Sequence, residues 1–562
     1  MDGVYGTRIL LAVSLVVFIL LLVPVLALVV GLSFFPSLGT STFTFWRFIS
    51  LPSTLSEIQD TLEFSIVSAI FTTVFATTYA WIVARTDVPG KRVLELLPIL
   101  GLSVPLLFKA FSWEFMLNPN SGIINSMLKF LLGAGAPVLN IDTMGGLIFV
   151  QSFANVPIVY LITLAAMKSL DSSLEEASRV SGRGVLSTFG RVTVPLVRPA
   201  VLSAFLLAII GGVGAFEFPF VLGQPGGLHF LATEVYYYAQ ERVPPAYGSA
   251  GDVSILYAAI TIACVSAYIW STRRSFKFQV VTGRSAAARL QLLGSYRYLA
   301  CAVCLAILFF EFILPFSGLV LMSSATIFAS NLNSVQFNFP TFYLDALKIP
   351  LLFDSLRTTL FFGLMAAVLA TVIGALLSYT ALKSKARGAR LADFISAVPL
   401  AFPGVVYGVA LFWTFLLIPG MSWLFGTIWP LVIALVFIRL PFSTRIVSGN
   451  MVQISNDLED ASQVAGAGFT RTFTRVLMPL IKEGLFNSFV YTLIDSMREL
   501  GGVVILATAA APTFTTLLLQ YYNESTSQIG TVAAASVIFT GMIMLLLVAA
   551  SVVRHYWGRT GR

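Results

Sequence analysis

A few charged residues lie inside long apolar stretches of the chain and are the first candidates for chemistry. They are Lys109, Glu114, Glu217, Arg439, Asp495, Arg498 and Glu499. A charge near the bilayer centre costs about 2.5 to 3.5 kcal/mol on insertion scales, so each one needs a partner or a function. Ion pairs that hold a helix bundle together are one interpretation, because Arg498 lies three residues after Asp495. The alternative is a cation path lined or gated by Glu217 and Glu499. The residues predicted for that path are Phe216, Glu217, Asp495, Arg498 and Glu499.

Catalytic and metal-binding patterns are missing from the sequence. A tight iron site would need clustered oxygen or imidazole ligands, yet the chain has only two histidines, His229 and His555. We predict no metal site, and we interpret His229 as a loop residue that contacts a partner. No Gly-rich phosphate loop ending in Lys and Ser or Thr occurs, since Pro89-Gly90-Lys91 is followed by Arg92. No nucleophile or His-carboxylate constellation indicates an enzyme. The chain is therefore predicted to have no catalytic residues and to bind no cofactor.

The composition predicts an all-α membrane protein. The chain is 57% hydrophobic and 11% charged, whereas soluble domains have about 25% charged residues. Apolar runs of about 20 residues, enough to cross a bilayer, recur along it. Twelve spans are predicted, at 9–34, 62–84, 93–115, 143–167, 200–222, 252–271, 298–322, 356–381, 394–418, 428–446, 485–509 and 530–553.

The basic residues predict how the chain is oriented. Most of the 34 Lys and Arg residues lie between alternate spans, and the bias toward positive cytoplasmic loops then places both termini in the cytoplasm. The net charge of +8 forms no single patch, so it indicates anionic lipid and no nucleic acid as a partner.

An internal repeat divides the chain into two halves. Residues 174–196 read LEEASRVSGRGVLSTFGRVTVPL and residues 458–480 read LEDASQVAGAGFTRTFTRVLMPL, identical at 13 of 23 positions with an offset of 284. Six predicted spans separate the copies, so both lie on one side and the repeat is parallel. A weaker match pairs Val104-Pro105-Leu106 with Val398-Pro399-Leu400 as the openings of equivalent spans. We call residues 171–199 and 455–484 the first and second repeat loops.

Each repeat loop is predicted to be a short helix, a turn and a second short helix. In the first loop, Ser173 and Glu176 form a capping-box pattern, and Asp457 and Asp460 place acids at the same helix start in the second. Apolar residues recur at helical spacing, giving an amphipathic helix beside the membrane; they are Leu174, Ala177 and Val180, and Leu458, Ala461 and Val464. Glycines that accept positive backbone angles then end it. They are Gly182 and Gly184, and Gly466 and Gly468. The second helices carry Phe189 and Arg191, and Phe473 and Arg475, before Pro195 and Pro479.

The repeat loops resemble the EAA motif of the membrane subunits of ATP-binding-cassette importers. The matching positions are Glu176, Ala177, Ser178, Gly182, Val192 and Pro195, then Asp460, Ala461, Ser462, Gly466, Val476 and Pro479. The chain departs from the motif by Ser for the second Ala, Val for Ile, and Asp for Glu in the second copy. In that family the loop is a coupling helix that docks on the ATPase. The resemblance implies coupling roles for Glu175, Glu176, Ala177, Ser178, Gly182, Gly184, Pro195, Glu459, Asp460, Ala461, Ser462, Gly466, Gly468 and Pro479.

The same resemblance implies partners and a substrate class. Two copies of a separate ATPase subunit would hydrolyse ATP with Mg²⁺, and a periplasmic or surface binding protein would deliver substrate to outer segments 35–60, 223–251 and 323–354. The fused two-domain form is similar to ferric iron and thiamine permeases. Ferric iron is favoured by Phe216-Glu217-Phe218-Pro219 and by Arg498-Glu499-Leu500. Thiamine, aminoethylphosphonate and polyamines remain alternatives, as does an ion-coupled secondary transporter.

The implied location is the bacterial cytoplasmic (inner) membrane, and the chain divides into six regions. These are an N-terminal helix and outer segment (1–60), a first permease domain (61–271), a basic cytoplasmic linker (272–297), a further helix and outer segment (298–354), a second permease domain (355–553) and a cytoplasmic tail (554–562).

Overall fold

The computed structural model describes residues 12, 16–29, 31, 49–133, 135–275, 290–326, 336–383, 389–455, 457–524 and 528–560. Most of the predicted linker, parts of the outer segments 35–60 and 323–354, and the last two residues of the tail lie outside these ranges. The described residues are almost all helical, which confirms the all-α prediction. A two-residue antiparallel pair, β1 (Ala325–Thr326) with β2 (Gln336–Phe337), is their only sheet.

The first half contains a long helix followed by shorter, interrupted ones. In chain order the helices are α1 Val16–Val29, α2 Pro52–Arg85, α3 Lys91–Leu100, α4 Leu106–Leu117, α5 Ile123–Leu132, α6 Met144–Ala154, α7 Val156–Lys168, α8 Ser172–Val180, α9 Val185–Val213, α10 Leu231–Tyr236 and α11 Tyr247–Ser275. The 34-residue α2 begins with a proline, which fits the first turn because no intrahelical partner is lost there. It packs on α6, α7 and α9.

The second half repeats this order. Its helices are α12 Tyr296–Ser324, α13 Thr341–Ala346, α14 Leu352–Leu382, α15 Ala389–Ala397, α16 Gly404–Leu417, α17 Trp429–Met451, α18 Asp457–Val464, α19 Phe469–Thr472, α20 Lys482–Met497, α21 Phe514–Glu524 and α22 Ile529–Thr560. The 31-residue α14 takes the place of α2 and packs on α17 and α20. The parallel repeat predicted from the sequence is therefore confirmed.

Two of the predicted spans are sharply bent. The segment 93–115 turns by 91° between α3 and α4, and 394–418 turns by 101° between α15 and α16. Each bend has an extended residue before a proline, Val104 before Pro105 and Phe402 before Pro403. Steric clash with the proline ring keeps the preceding residue out of the helical region. The equivalent prolines are thus Pro105 and Pro403, 298 residues apart, and the predicted match of residues 104–106 with 398–400 was wrong by four positions.

Other predicted spans end earlier than expected. Helix α20 ends at Met497 instead of reaching residue 509, and α9 ends at Val213 instead of reaching residue 222. Glycines follow each end, at 214 and at 501 and 502, and glycine is a poor helix former. Among the described residues, seven helices are long and apolar enough to cross a membrane, or ten if each bent pair is one span. Of the twelve predictions, 9–34 and 485–509 correspond to the shorter α1 and α20.

The main hydrophobic core joins the two halves. It includes Phe108 of the first half, which packs edge-on against Phe514 and Phe539 of the second at centroid distances of 6.3 and 6.0 Å. Tyr247 also stacks on Phe412 at 5.0 Å. Aromatic pairs of this geometry stabilise beyond their area burial. The halves are therefore packed as one body.

Candidate functional site

The first repeat loop begins with a capped helix. Asp171 accepts a hydrogen bond from the backbone N–H of Ser173 at 2.9 Å and is the N-cap of α8. The predicted capping box of Ser173 and Glu176 was therefore wrong, because Ser173 already lies inside the helix. This hydrogen bond lowers the pKa of Asp171. In the second loop, Ser455 Oγ accepts from the backbone N–H of Asp457 at 3.2 Å.

One acid of the first loop is buried in an ion pair. Glu175 is 3% exposed and pairs with Arg85, whose Nε donates to Glu175 Oε2 at 2.9 Å. Thr193 Oγ1 donates to the other carboxylate oxygen at 2.6 Å. Arg85 is the last residue of α2, 90 positions from Glu175 in sequence. The pair therefore attaches the loop helix to a helix that is not its neighbour along the chain.

The second loop has an equivalent buried acid. Glu459 is 7% exposed, and its Oε1 lies 3.7 Å from Lys383 Nζ at the end of α14. Tyr379 OH donates to Glu459 Oε2 at 3.0 Å. The contacts of the buried acid in the first loop are thus reproduced in the second, with Lys383 in place of Arg85 and Tyr379 in place of Thr193. From the sequence, Arg85 and Lys383 were counted only among the basic residues that orient the chain in the membrane, and no partner was predicted for either.

The neighbouring acids of the motif point elsewhere. Glu176 is half-buried and Asp460 is exposed, and no ion pair is recorded for either side chain within the described residues. The apolar stripe of each loop helix is also uncovered. Leu174 and Val180 are 48% and 89% exposed, and Leu458 and Val464 are 47% and 90% exposed. A stripe of this kind at an exposed helix face is typical of a protein or membrane contact.

Serine replaces alanine at one motif position for a visible reason. Ser178 Oγ and Thr188 Oγ1 are 3.0 Å apart, and Ser462 Oγ and Thr472 Oγ1 are 2.9 Å apart. Each bond joins the loop helix to the helix after the turn. The departure from the motif therefore fixes the angle within the helical hairpin in both copies.

One glycine of each turn has the predicted backbone conformation. Gly182 has φ +81° and Gly466 has φ +79°, a region that costs other residues about 1 to 2 kcal/mol. Gly184 differs from the prediction, because its φ of −71° and ψ of 166° are extended and open to any residue. Gly468 is not among the described glycines with a positive φ.

The second short helix of the first loop is not a separate element. It continues through a π-helical turn, Phe189–Thr193, into α9, with Pro195 inside the continuous helix. In the second loop the π-helical turn is Phe473–Leu477, and Pro479 follows it. Phe189 packs on Trp81 of α2 at a centroid distance of 4.5 Å, and Phe473 on Tyr379 of α14 at 5.5 Å. Ala177 and Ala461 lie on the exposed stripes.

The predicted path residues of the second half form an ion-pair network around Arg439. Its Nη1 lies 2.5 Å from Asp495 Oδ2, and its Nη2 pairs with Glu499. Arg498 lies 3.7 Å from Asp495, as the sequence spacing predicted. Arg439 was singled out as a buried charge but not as the centre of this network. The arrangement joins α17 to the end of α20.

The predicted path residues of the first half lie beside that network. Phe216 and Glu217 are both buried, and Phe216 packs against the backbone of Gly501. A methyl group placed on Gly501 would lie 3.5 Å from Phe216 Cβ and 3.7 Å from Glu499 Oε1, so Glu217 and Glu499 are in the same region. Equivalent positions of the two halves therefore meet. A nearby apolar cavity of about 150 Å³ is lined instead by Asn155, Gly211, Pro399, Phe402 and Ile438, among others, and by none of the predicted path residues.

A further buried ion pair, between Lys109 and Glu311, was missed by the sequence analysis. Lys109 Nζ lies 3.4 Å from Glu311 Oε1, with the two side chains 2% and 0% exposed. Glu311 lies in a π-helical turn of α12, and it is the only charged residue in the predicted span 298–322, which is the signal that could have found it. Glu114 bonds with Asn118.

Metal ligands do not converge in the part of the chain that the structure describes. No group of three His, Cys, Asp or Glu side chains there could hold a metal ion. His229 is 60% exposed and bonds with Glu234 at 3.0 Å, so its ring has a partner within the chain.

Comparison with known proteins places these features in a family. Residues 76–274 and 370–557 each match the model of the binding-protein-dependent transport system inner membrane component. The two matches contain one repeat loop each and together cover more than half of the chain.

Three relatives show how varied this similarity is. The chain is 27% identical to a protein named as ferric transport system permease FbpB 1 of Haemophilus influenzae over 514 residues, 89% of this chain and 77% of the relative. It is 27% identical to ferric transport system permease FbpB of Actinobacillus pleuropneumoniae, over 79% of this chain and 63% of the relative. It is 26% identical to the trehalose/maltose permease MalF of Thermococcus litoralis, over 37% of this chain and 71% of the relative. With the family model matched twice, the chain belongs to the binding-protein-dependent transport system inner membrane components and carries two of these domains in one polypeptide.

Proposed function

We propose that this chain is the transmembrane permease subunit of an ATP-binding-cassette importer, with ferric iron as its substrate. A binding protein delivers the substrate on the outer side. Two separate ATPase subunits close and open against the two repeat loops on the cytoplasmic side, and the fused halves alternate between outward-open and inward-open states. The protein lies in the bacterial inner membrane with both termini in the cytoplasm.

The observation that carries this proposal is the pair of repeat loops. Each is a capped helical hairpin, held from behind by a buried ion pair and presenting an uncovered apolar stripe with Val180 or Val464 at its tip. Because the Val180 and Val464 side chains are nearly 90% exposed to solvent, they have no stabilising role within the chain. Two such surfaces, one in each half, suit two copies of one partner subunit.

Ferric iron is favoured by the two FbpB relatives and by the acids near the centre of the molecule. Glu217 is buried there, Asp495 and Glu499 are partly buried at 19% and 16% exposed, and carboxylates suit a cation. Within the described residues they do not form a binding cluster. In this proposal these acids line or gate the path of the cation.

The test is ferric iron uptake by cells that express this permease with its neighbouring ATPase and binding protein. The variant carries Glu176→Lys and Asp460→Lys, which change the half-buried Glu176 and the exposed Asp460 and leave the buried Glu175 and Glu459 in place. Its control is Glu483→Lys, an exposed acid outside the apolar stripes. We expect uptake in the parent and the control and none above background in the double variant.

Two results would change the proposal. Normal uptake in the double variant would remove the repeat loops from coupling. Absence of iron uptake in the parent would keep the importer and move the substrate to thiamine, aminoethylphosphonate or a polyamine.

A further inference from the structure

The long helices α2 and α14 are fixed to the repeat loops at their C-terminal ends. Arg85 at the end of α2 pairs with Glu175, and Lys383 after the end of α14 pairs with Glu459. The same basic side chains also donate hydrogen bonds to backbone carbonyls just before each repeat loop. Arg85 Nη1 donates to the carbonyl of Leu170 at 3.4 Å, and Lys383 Nζ donates to that of Ile454 at 2.5 Å.

These contacts are equivalent in the two halves. Leu170 and Ile454 are 284 positions apart, as are Glu175 and Glu459. The same attachment is therefore built twice, with different residues. We call each one a loop tie.

The other ends of the same helices are fixed as well. Thr61 Oγ1 of α2 accepts a hydrogen bond from the backbone N–H of Leu231, the first residue of α10, at 3.1 Å. Thr359 Oγ1 of α14 accepts from the backbone N–H of Phe514, the first residue of α21, at 2.9 Å. Both threonines are buried, at 2% and 1% exposed. We call these contacts the far ties.

The spacing between the ties is the same in both halves. Thr61 and Arg85 are 24 positions apart, and so are Thr359 and Lys383. At a rise of about 1.5 Å per residue this is about 36 Å, longer than a bilayer core of about 30 Å. Each long helix therefore joins a repeat loop on one face of the membrane to a short helix on the other.

Three of the four alternative routes from the loops are interrupted, and the fourth, α17 before the second loop, is a continuous helix with Pro441 in its interior, where a backbone hydrogen bond is lost. Before the first loop, α6 and α7 are bent by 45°. After it, the helix passes through the π-helical turn Phe189–Thr193 and ends at Val213. In the second half, the π-helical turn Phe473–Leu477 is followed by a break in the helix at Ile481. Helix α20 then ends at Met497. Kinks and π-helical turns are where helices bend, so these segments transmit a displacement poorly.

We propose that α2 and α14 are rigid rods that carry the movement of the repeat loops across the membrane to α10 and α21. This inference rests on the proposed function, because the movement originates in the ATPase subunits. Arg85, Glu175, Lys383 and Glu459 are positioning residues: they act through the rods and touch no substrate. Thr61 and Thr359 have the same role at the far ends.

The experiment measures the movement of the far ends in the assembled transporter with its ATPase subunits and binding protein. Spin labels are placed at the equivalent exposed positions Ser56 and Asp354, with the three native cysteines replaced. The distance between the labels is followed on addition of ATP. ATP hydrolysis and ferric iron uptake are measured in the same preparation.

The first variant removes both loop ties with apolar residues, as Arg85→Met with Glu175→Leu and Lys383→Met with Glu459→Leu. Buried ion pairs replaced in this way usually leave a protein stable, so the variant tests coupling and not folding. The control exchanges the two bases, as Arg85→Lys with Lys383→Arg, and keeps both ties. A second variant, Thr61→Val with Thr359→Val, removes the far ties.

We expect the control to behave as the parent. Both tie variants should still hydrolyse ATP, but iron transported per ATP should fall by about 10-fold, a size typical of coupling between sites, and the label distance should no longer change. Full uptake and a full distance change in both tie variants would contradict the proposal that α2 and α14 carry the movement. The ties would then have a structural role only. A parent that hydrolyses no ATP with its partners would instead overturn the proposed function itself.

Discussion

At the scale of single residues, the two neighbouring acids of each repeat loop have separate environments. Glu175 and Glu459 are identical in both copies and buried against a base, whereas Glu176 and Asp460 differ and are less buried, Glu176 partly and Asp460 not at all. A buried carboxylate must keep the length that reaches its partner, while an exposed one can vary. The loops thus combine a fixed inner side with an outer side free to match a partner surface.

Substitution of the turn glycines tests the backbone of the loops. Gly182→Ala should lower the free energy of unfolding by about 1 to 2 kcal/mol, because φ stays near +81° although nothing crowds the added methyl group. Gly184→Ala is the matched control, since its extended backbone and open surroundings accept alanine. Thermal unfolding of the purified protein measures both. Equal unfolding of the two variants would show that the positive φ carries no cost.

The hydrogen bond between Ser178 and Thr188 gives a second test. Ser178→Ala should destabilise the protein by about 1 to 3 kcal/mol, because Thr188 Oγ1 would remain buried without its partner. Adding Thr188→Val should recover most of that loss, since a group without hydrogen-bonding capacity needs no partner. Chemical denaturation of the three proteins measures this. A double variant less stable than Ser178→Ala would contradict the assignment.

At the scale of elements, sequence periodicity and composition predicted which segments are helices but not where they bend. The positive φ of Gly182 and Gly466 followed from the glycines themselves, because a helix end before a turn requires that conformation. The bends at Pro105 and Pro403 and the early end of α20 depend on packing between segments far apart in sequence. The partners of Glu175 and Glu459 were missed for the same reason, since each pair closes only when α2 or α14 meets its loop.

The joint between α17 and α20 depends on one arginine. Arg439→Met should destabilise the protein by about 3 to 5 kcal/mol, because the partly buried Asp495 and Glu499 would lose their main counter-charge. Arg439→Lys should recover part of the loss, as lysine keeps the charge but cannot bridge two carboxylates in one plane. The folded fraction after detergent extraction measures both. Wild-type stability of Arg439→Met would exclude a bundle-holding role for the network.

At the scale of the whole molecule, two similar halves share one core and each half presents one loop. The fusion fixes the halves to each other, so the two loops are held at a set separation without assembly of two permease chains. Each half contributes equivalent acids, Glu217 and Glu499, to the point where the halves meet. In the importer that we propose, movement of the two loops must be converted into movement of the two halves, and α2 and α14 would be the connections that carry it.

The most direct test of this account is co-purification of the ATPase subunit with the permease. The variant carries Val180→Asp and Val464→Asp, which place charges at the tips of both exposed stripes. The control is Leu292→Asp, also exposed, at 68%, beside Gln291, which bonds the end of α2. We expect the parent and the control to retain the ATPase subunit and the double variant to lose it with membrane insertion unchanged. Retention of the subunit by the double variant would contradict the central claim that the repeat loops are the docking surfaces.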